Sequence, residues 1–313
     1  MDITLIKTFL EVASSGSFVS ASERLLVTQS AVSLRISRLE ETMGRPLFTR
    51  SKAGAELTPA GTEFEHYAVS MLKLWEEARQ QVAIPEGYSR TLTIGAQYSL
   101  WPRLGFRWID GLQKMVPDLS IRAELGMPEI LTRYLREGVI QFALMYTPQL
   151  RSGLDARHIL EDELVLVASW PNPTLDMKGR YVFVDWGPEF VRSHAISLPS
   201  LTDSGLTMAL GAMTTDYILN REAAAYLPAR FVQRHLEAGT LHLVPDAPRF
   251  PYPIWAVWRE DIDPIVLAAA ETTLQQACAQ IDDLHDNVLF ALSKISEGGE
   301  IAILGDANGA LDK

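Results

Sequence analysis

Apolar residues recur at three-four spacing in three successive N-terminal stretches, ITLIKTFLEVASS, FVSASERLL and QSAVSLRISRLEE. This period gives each stretch one apolar face and predicts three helices within residues 3–43. Gly16 marks the end of the first helix, while Ser17 and Thr28 are good N-caps for the second and third. Because a tight turn joins the second and third helices, they form a helix-turn-helix candidate.

The third predicted helix turns polar side chains away from its core positions, and in helix-turn-helix proteins this helix enters the major groove. Gln pairs bidentately with adenine, Ser bonds base edges or phosphates, and Arg contacts phosphates or guanine. The Gly and Pro residues of GRPLFTRSKAGAELTPAG then predict a two-stranded wing. The residues expected at double-stranded DNA are Thr28, Gln29, Ser30, Ser33, Leu34, Arg35, Arg38, Arg50 and Lys52. A solvated helix with ordinary surface charges is the alternative.

Charge is distributed unevenly along the chain. The net charge is -11, which by itself argues against binding a polyanion. Residues 24–52, however, hold six Lys or Arg against two Glu. An acidic body would repel DNA and orient it toward this basic segment.

The run from FLEVASSGSF through TQSAVS, RLEE and GRPLFTR to LTPAG resembles the winged helix-turn-helix of LysR-type transcriptional regulators. The resemblance covers about sixty residues in order. Two positions depart from the common family pattern, since Ser30 is often Pro and Leu34 is often Arg. An operator sequence therefore cannot be transferred from a relative.

Apolar residues from Thr62 to about Ala83 predict a further helix with a coiled-coil seam. The predicted seam comprises Phe64, Tyr67/Ala68, Met71, Trp75, Ala78 and Val82. Packing against the chain's own body is the alternative, but the resemblance implies a linker helix that pairs two subunits. Pro85 and Gly87 in IPEGYSR then predict a hinge.

The remaining chain alternates short apolar strands with amphipathic helices, an order that predicts parallel sheets. A long apolar helix is expected from about Ile265 to Leu292. This order resembles the two-lobed effector domain of the same regulators, a fold shared with periplasmic binding proteins.

The predicted fold class is α/β, with an all-α/winged helix-turn-helix N-terminal domain, a linker helix and a two-lobed effector domain. The predicted boundaries are 1–60 for the winged helix-turn-helix, 61–88 for the linker helix and hinge, 89–296 for the effector domain (lobe I about 89–163 and 264–296, lobe II about 164–263) and 297–313 for the tail.

Ligands of open α/β sheets bind beyond the carboxyl ends of strands, and free N–H groups at helix starts favour anions. The expected effector residues are Tyr98, Ser99, Leu100, Trp101, Arg103, Tyr146, Trp186, Thr214 and Thr215. They predict a small organic effector that is anionic or aromatic. The alternative is that the aromatic side chains only fill cores, as expected for Trp108, Trp255 and Trp258.

Other classes of protein are disfavoured. Cys278 is the single cysteine, so no intramolecular disulfide or zinc cluster is expected, and a cytoplasmic location fits. Neither a secretion signal nor a membrane span is predicted. The usual P-loop, dinucleotide, hydrolase and metalloprotease motifs are missing, so neither an enzyme nor a cofactor is expected.

The sequence thus predicts a sequence-specific, homodimeric or homotetrameric transcriptional regulator switched by a small molecule. A regulator without an effector and an enzyme that uses the cleft are the alternatives. Effector, target genes and the direction of regulation are not specified by the sequence.

Overall fold

The computed structural model describes residues 2–51, 54–149, 151–177, 179–202, 204–281 and 283–296. Residues up to Glu86, together with Arg133–Ile140, form one compact unit. Gly87–Thr132 and the described residues from Gln141 onward form the second. Lys52 and the predicted tail 297–313 lie outside the described residues.

The first unit begins with the three predicted helices. Asp2, Ser17 and Thr28 each accept a hydrogen bond from a backbone N–H at a helix start, which confirms the N-caps expected at Ser17 and Thr28. Its elements are α1 (Ile3–Ser15), α2 (Phe18–Arg24), α3 (Gln29–Met43), β1 (Phe48–Ser51), β2 (Gly54–Leu57) and α4 (Pro59–Val82). The antiparallel β1–β2 pair is the predicted wing, and α4 is the predicted linker helix.

Aromatic side chains hold these elements together. The ring of Phe9 on α1 lies 5.2 Å from that of Phe48 and 4.9 Å from that of Phe64 on α4. The carboxylate of Glu40 accepts hydrogen bonds from the N–H groups of Leu47 and Phe48, which ties the wing to α3. The first turn of α4 approaches the wing so closely that only glycine fits at Gly61, where a Cβ atom would lie 2.1 Å from a carbonyl oxygen.

The second unit contains sheets of five, four and two strands with helices around them. Its elements are β3 (Arg90–Ala96), α5 (Phe106–Met115), β4 (Leu119–Leu125), α6 (Pro128–Arg136, which continues into the first unit), β5 (Phe142–Tyr146), β6 (Leu154–Leu160), β7 (Glu163–Ala168), β8 (Phe183–Val184), α7 (Pro188–Ser197), β9 (Thr207–Met208), α8 (Thr214–Leu219), β10 (Ala224–Pro228), α9 (Ala229–Glu237), β11 (His242–Leu243), β12 (Phe250–Pro251), β13 (Ile254–Arg259), α10 (Pro264–Ala279) and α11 (Asp283–Ile295).

The first sheet has strand order β4-β3-β5-β13-β6 and defines lobe I. Strand β3 pairs in parallel with β4 and β5, which confirms the predicted β-α-β-α-β unit. Strand β13 runs antiparallel between β5 and β6. Lobe II is built around β7, which pairs antiparallel with β10, β11 and β12. The chain therefore crosses between the lobes after β6 and again before β13.

The single helix predicted over Ile265–Leu292 is wrong, because the structure has two helices there. Helix α10 ends at a tight turn in which the N–H groups of Gln280 and Ile281 donate to the carbonyl oxygen of Cys278. This turn allows the two helices to pack on different lobes. Helix α10 packs on α5 of lobe I, whereas α11, which the sequence analysis placed in lobe I, packs on α9 of lobe II.

Candidate DNA interface and effector cleft

Helix α3 has one buried and one outward face. Val32, Ile36 and Leu39 are fully buried. At about 100° per residue, the opposite side carries the exposed residues Ser30, Leu34, Ser37 and Arg38, with half-buried Ser33 at its margin. The hydroxyl of Thr28 accepts the N–H of Ala31 at 3.2 Å and lies 3.0 Å from the Ser30 hydroxyl. The cap therefore fixes the N-terminal end of α3, where Thr28 and Gln29 are also exposed.

Two predicted DNA residues, Arg35 and Arg50, are held by the unit itself. Arg35 lies on the flank of α3, and its guanidinium donates to the Thr8 hydroxyl of α1 at 3.4 Å. The guanidinium of Arg50 on β1 lies 4.3 Å from the ring centre of Phe18. Arg35 is thus set apart from the outward face of α3, and Arg50 is positioned on the wing.

Three cations near α3 remain available for phosphates. Within the described residues, neither Arg38 nor Arg45 nor Arg50 has a carboxylate within 4.0 Å. Arg24, by contrast, pairs with Glu11 at 3.0 Å. An acidic chain therefore keeps these three cations on its helix-turn-helix and wing with no carboxylate within 4.0 Å in the described ranges.

Helix α4 divides the predicted coiled-coil seam between two faces. Phe64 and Ala68 are buried in the first unit's own core, which is the alternative that the sequence left open for those positions. The exposed apolar stripe comprises Tyr67, Leu74, Trp75, Ala78 and Val82, with half-buried Met71 among them. Leu74, which the sequence analysis did not include, is 67% exposed and Trp75 is 45% exposed.

The second unit has a cleft beyond the carboxyl end of β5. Two overlapping cavities, of about 1010 Å³ and 250 Å³, share a wall formed by Thr147, Trp186, Gly187, Pro188, Arg192 and Tyr252. Glu129, Gln149 and Asp185 line only the larger cavity. The larger cavity therefore offers two aromatic rings, one guanidinium and two carboxylates, and its volume suits a small organic molecule.

A network of rings and hydrogen bonds supports this wall from behind. The rings of Tyr146 and Tyr252 stack at 4.0 Å, and Trp186 meets Tyr252 edge-on at 5.4 Å. The buried side chain of Gln97 accepts the N–H of Tyr146 at 2.8 Å. Burial raises the pKa of the Tyr146 and Tyr252 hydroxyls well above the usual value.

The predicted effector residues fall into two groups. Trp186 lines the cleft, Tyr146 lies directly behind its wall, and the Ser99 hydroxyl lies 3.3 Å from that of Tyr146. The others lie elsewhere. Tyr98 packs on Phe231, Leu100 and Trp101 are buried in the core, and Arg103 pairs with Glu237 at 3.5 Å.

Thr214 and Thr215 are buried, and their hydroxyls have no hydrogen-bond partner among the described residues. The short helical turns over Tyr98–Leu100 and Gly211–Met213 pack together. Among the predicted core tryptophans, Trp108 and Trp258 are buried, whereas Trp255 is half-buried.

Sequence reasoning missed Thr147, Tyr252, Glu129, Gln149, Asp185 and Arg192. Thr147 directly follows β5, so the rule that placed Tyr146 at a strand end could have found it. Arg192 lies on α7 and Tyr252 on the return crossing, and no local pattern marks either of them.

A buried aspartate on the first crossing between the lobes is hydrogen-bonded to the return crossing through its backbone. Asp162 is fully buried, and its Oδ1 accepts the N–H groups of Glu163 at 2.9 Å and Arg230 at 3.2 Å. Its carbonyl oxygen accepts the N–H of Tyr252 at 2.7 Å. Burial raises the pKa of Asp162 to about 7, although Arg230 and the two N–H donors act in the opposite direction.

Two further findings concern the described residues only. They contain no group of three or more His, Cys, Asp or Glu residues that could hold a metal ion. They also contain no helix with the length and apolar character needed to cross a membrane.

Residues 3–62 match the family described as "Bacterial regulatory helix-turn-helix protein, lysR family", and residues 85–278 match "LysR substrate binding domain". The chain belongs to the LysR family. It is 30% identical over 268 residues to the transcriptional regulator HdfR of Escherichia coli strain UMN026, covering 84% of this chain and 94% of that one. The HdfR of Salmonella schwarzengrund is 31% identical over 271 residues, with the same coverage of 84% and 94%.

Solved structures show the same fold as this LysR-family chain. A full-length OxyR variant from Pseudomonas aeruginosa superposes with a TM-score of 0.52 at 20% identity, covering 88% of this chain and 98% of that one. ArgP from Mycobacterium tuberculosis gives 0.52 at 22% identity, covering 89% and 98%. The chain is accordingly a DNA-binding transcriptional regulator of the LysR type with an effector-binding domain.

Proposed function

We propose that α3 of this LysR-type regulator reads DNA in the major groove and that the cleft beside Trp186 binds the effector. The first part of the proposal rests on the outward face and the N-terminal end of α3. Together they present exposed hydroxyl side chains and the exposed Gln29 amide, with Arg38 and Arg45 nearby. Vibrio fischeri DarR, which matches with a TM-score of 0.50 at 22% identity, was solved in complex with DNA.

In this proposal, Thr28, Gln29, Ser30, Ser33 and Leu34 face the bases, while Arg38 and Arg50 contact phosphates. Arg35 contacts DNA from the flank of α3, where its hydrogen bond to the Thr8 hydroxyl fixes its position. Lys52 belongs to the proposed set by its place in the wing sequence.

Gln29→Ala should cost about 1–3 kcal/mol at one base position of each half-site, because a Gln side chain can make two hydrogen bonds to adenine. The loss would be measured by binding titrations with an operator that the full-length protein selects from a random pool of duplexes, and with all single-base variants of that operator. Arg50→Ala is the matched control. It should weaken binding to specific and random duplexes alike and lower the salt slope by about one. An equal loss on specific and random DNA for Gln29→Ala would contradict base reading by this residue.

We propose further that the effector is a small organic molecule with an aromatic ring and an anionic group. The rings of Trp186 and Tyr252, which meet edge-on, supply an apolar corner of the cavity, and Arg192 supplies a cation in the same lining. Glu129 and Asp185 can accept hydrogen bonds from a hydroxyl or amine on the same ligand. Ser99 supports the wall through its contact with Tyr146 in this scheme, and Arg103 stays with Glu237. Thr214 and Thr215 belong to the proposed set by their place in the sequence.

A panel of aromatic acids should contain a compound that raises the unfolding midpoint of the full chain, since a ligand of the native state stabilises it by mass action. Arg192→Ala should then weaken that compound's binding about 10- to 100-fold, the scale of one hydrogen bond to a charged group. Calorimetry would measure both. Arg180→Ala is the matched control, because Arg180 stacks on Trp170 and pairs with Glu222 outside the cleft lining. Unchanged affinity in Arg192→Ala would place the anionic group elsewhere, and a panel without any binder would favour a regulator without an effector.

We also propose that the α4 stripe pairs two chains, giving a cytoplasmic homodimer that can address two half-sites. A second interface between effector domains would give a homotetramer. Light scattering of the purified chain distinguishes the two assemblies by mass.

A further inference from the structure

Leu34 stands out on the outward face of α3. Its side chain is 68% exposed, more than that of Met43, which is 40% exposed near the end of the same helix. One exposed leucine on a surface needs no explanation. Leu34, however, lies on the second turn of the helix that is proposed to enter the groove. The exposed hydroxyls of Ser30 and Ser37, one turn before and after it, lie on the same face.

These neighbours discriminate weakly between bases. A serine hydroxyl both donates and accepts, so Ser30, Ser33 and Ser37 can adapt to most base edges or to phosphates. A leucine side chain has no donor or acceptor. Placed against a polar base edge, it would remove water from that edge without replacing the lost hydrogen bond, which is unfavourable.

The major groove offers one apolar group, the C5-methyl of thymine. Contact with this methyl buries apolar surface on both partners and leaves no polar edge unsatisfied. We propose that Leu34 reads the 5-methyl group of one thymine in each half-site. The inference rests on the proposed placement of α3 in the major groove.

The experiment begins with selection of duplexes by the full-length protein from a random pool. Each thymine of the selected site is then replaced singly by deoxyuridine, which removes only the methyl. Affinity should fall about fourfold at one thymine per half-site, the loss that follows from exposing one methyl-sized group. Changes at the remaining thymines should have little effect.

Variants then identify the side chain that contacts the methyl group. Leu34→Ala should bind the thymine and deoxyuridine sites with nearly equal affinity, whereas Leu34→Met, which keeps a long apolar side chain, should retain most of the difference. Ser37→Ala is the control on the same face and should keep the full methyl dependence. Circular dichroism confirms that each variant is folded.

The outcomes separate this inference from the proposal on which it rests. Selection of a defined site that is indifferent to deoxyuridine at every thymine overturns the role of Leu34 alone. A methyl dependence that survives unchanged in Leu34→Ala assigns the methyl to another side chain and also overturns it. Failure to select any site would instead overturn base reading by α3 as a whole.

Discussion

Leu74→Glu combined with Trp75→Glu should halve the mass of the assembly, from dimer to monomer or from tetramer to dimer, and weaken operator binding by at least about 100-fold. Both residues lie on the exposed apolar stripe of α4, so the double variant would place four carboxylates in a paired seam. Like charges buried without partners are strongly unfavourable. Operator affinity should fall with assembly, because linking two reading heads raises affinity about 10²- to 10⁴-fold over one head.

Light scattering and operator titrations on the same preparations would test this expectation. His66→Glu is the control, since His66 is exposed and lies on the polar side of α4. The control should keep the mass and the affinity of the parent chain. A Leu74/Trp75 variant with the parent mass would show that the α4 stripe is not the pairing surface.

Asp162→Asn should remove a fall in stability that the parent chain shows as pH rises from about 4 to 7. Below the ordinary aspartate pKa of 3.8, the carboxyl group is protonated in both the folded and the unfolded chain. Above it the unfolded chain ionises first, while burial keeps the folded group protonated until about pH 7. The stability contributed at low pH is therefore lost as pH rises through the folded pKa. At about 1.4 kcal/mol for each pH unit in this window, the loss amounts to a few kcal/mol.

Urea unfolding followed by tryptophan emission, at several pH values between 4 and 8.5, would measure this difference. The asparagine side-chain oxygen can still accept the N–H groups of Glu163 and Arg230, so the fold should persist. Glu260→Gln is the control, because its side chain is exposed and directly follows β13. A constant free-energy difference between Asp162→Asn and the parent across this range would show that Asp162 does not titrate as described.

Local chemistry made the helix-turn-helix predictable from sequence. The caps at Ser17 and Thr28 depend on neighbours three residues away, and the buried side of α3 follows from helical period alone. Arg35 shows where this reasoning stops. Its hydrogen bond to Thr8 spans 27 positions, and nothing in the local pattern of α3 indicates it.

The linker and the cleft were harder to predict for the same reason. Phe64 satisfies a heptad pattern, yet its ring packs on Phe9 of its own unit. In the cleft, Tyr146 could be placed by its strand end, whereas its stacking partner Tyr252 lies more than one hundred residues later, on the return crossing. Side chains that meet through chain crossings leave no periodic signal in either segment.

Strand β13 also dictates when lobe I can be completed during synthesis. It occupies the position between β5 and β6, although more than ninety residues separate β6 from β13 along the chain. The backbone groups of β5 that pair with β13 stay unpaired with that strand until Ile254–Arg259 have left the ribosome. Lobe II is encoded between these strands and can therefore form its own sheet first. During that interval the sheet of nascent lobe I has an unpaired strand edge at β5. An exposed strand edge can pair with a strand of another chain and cause aggregation.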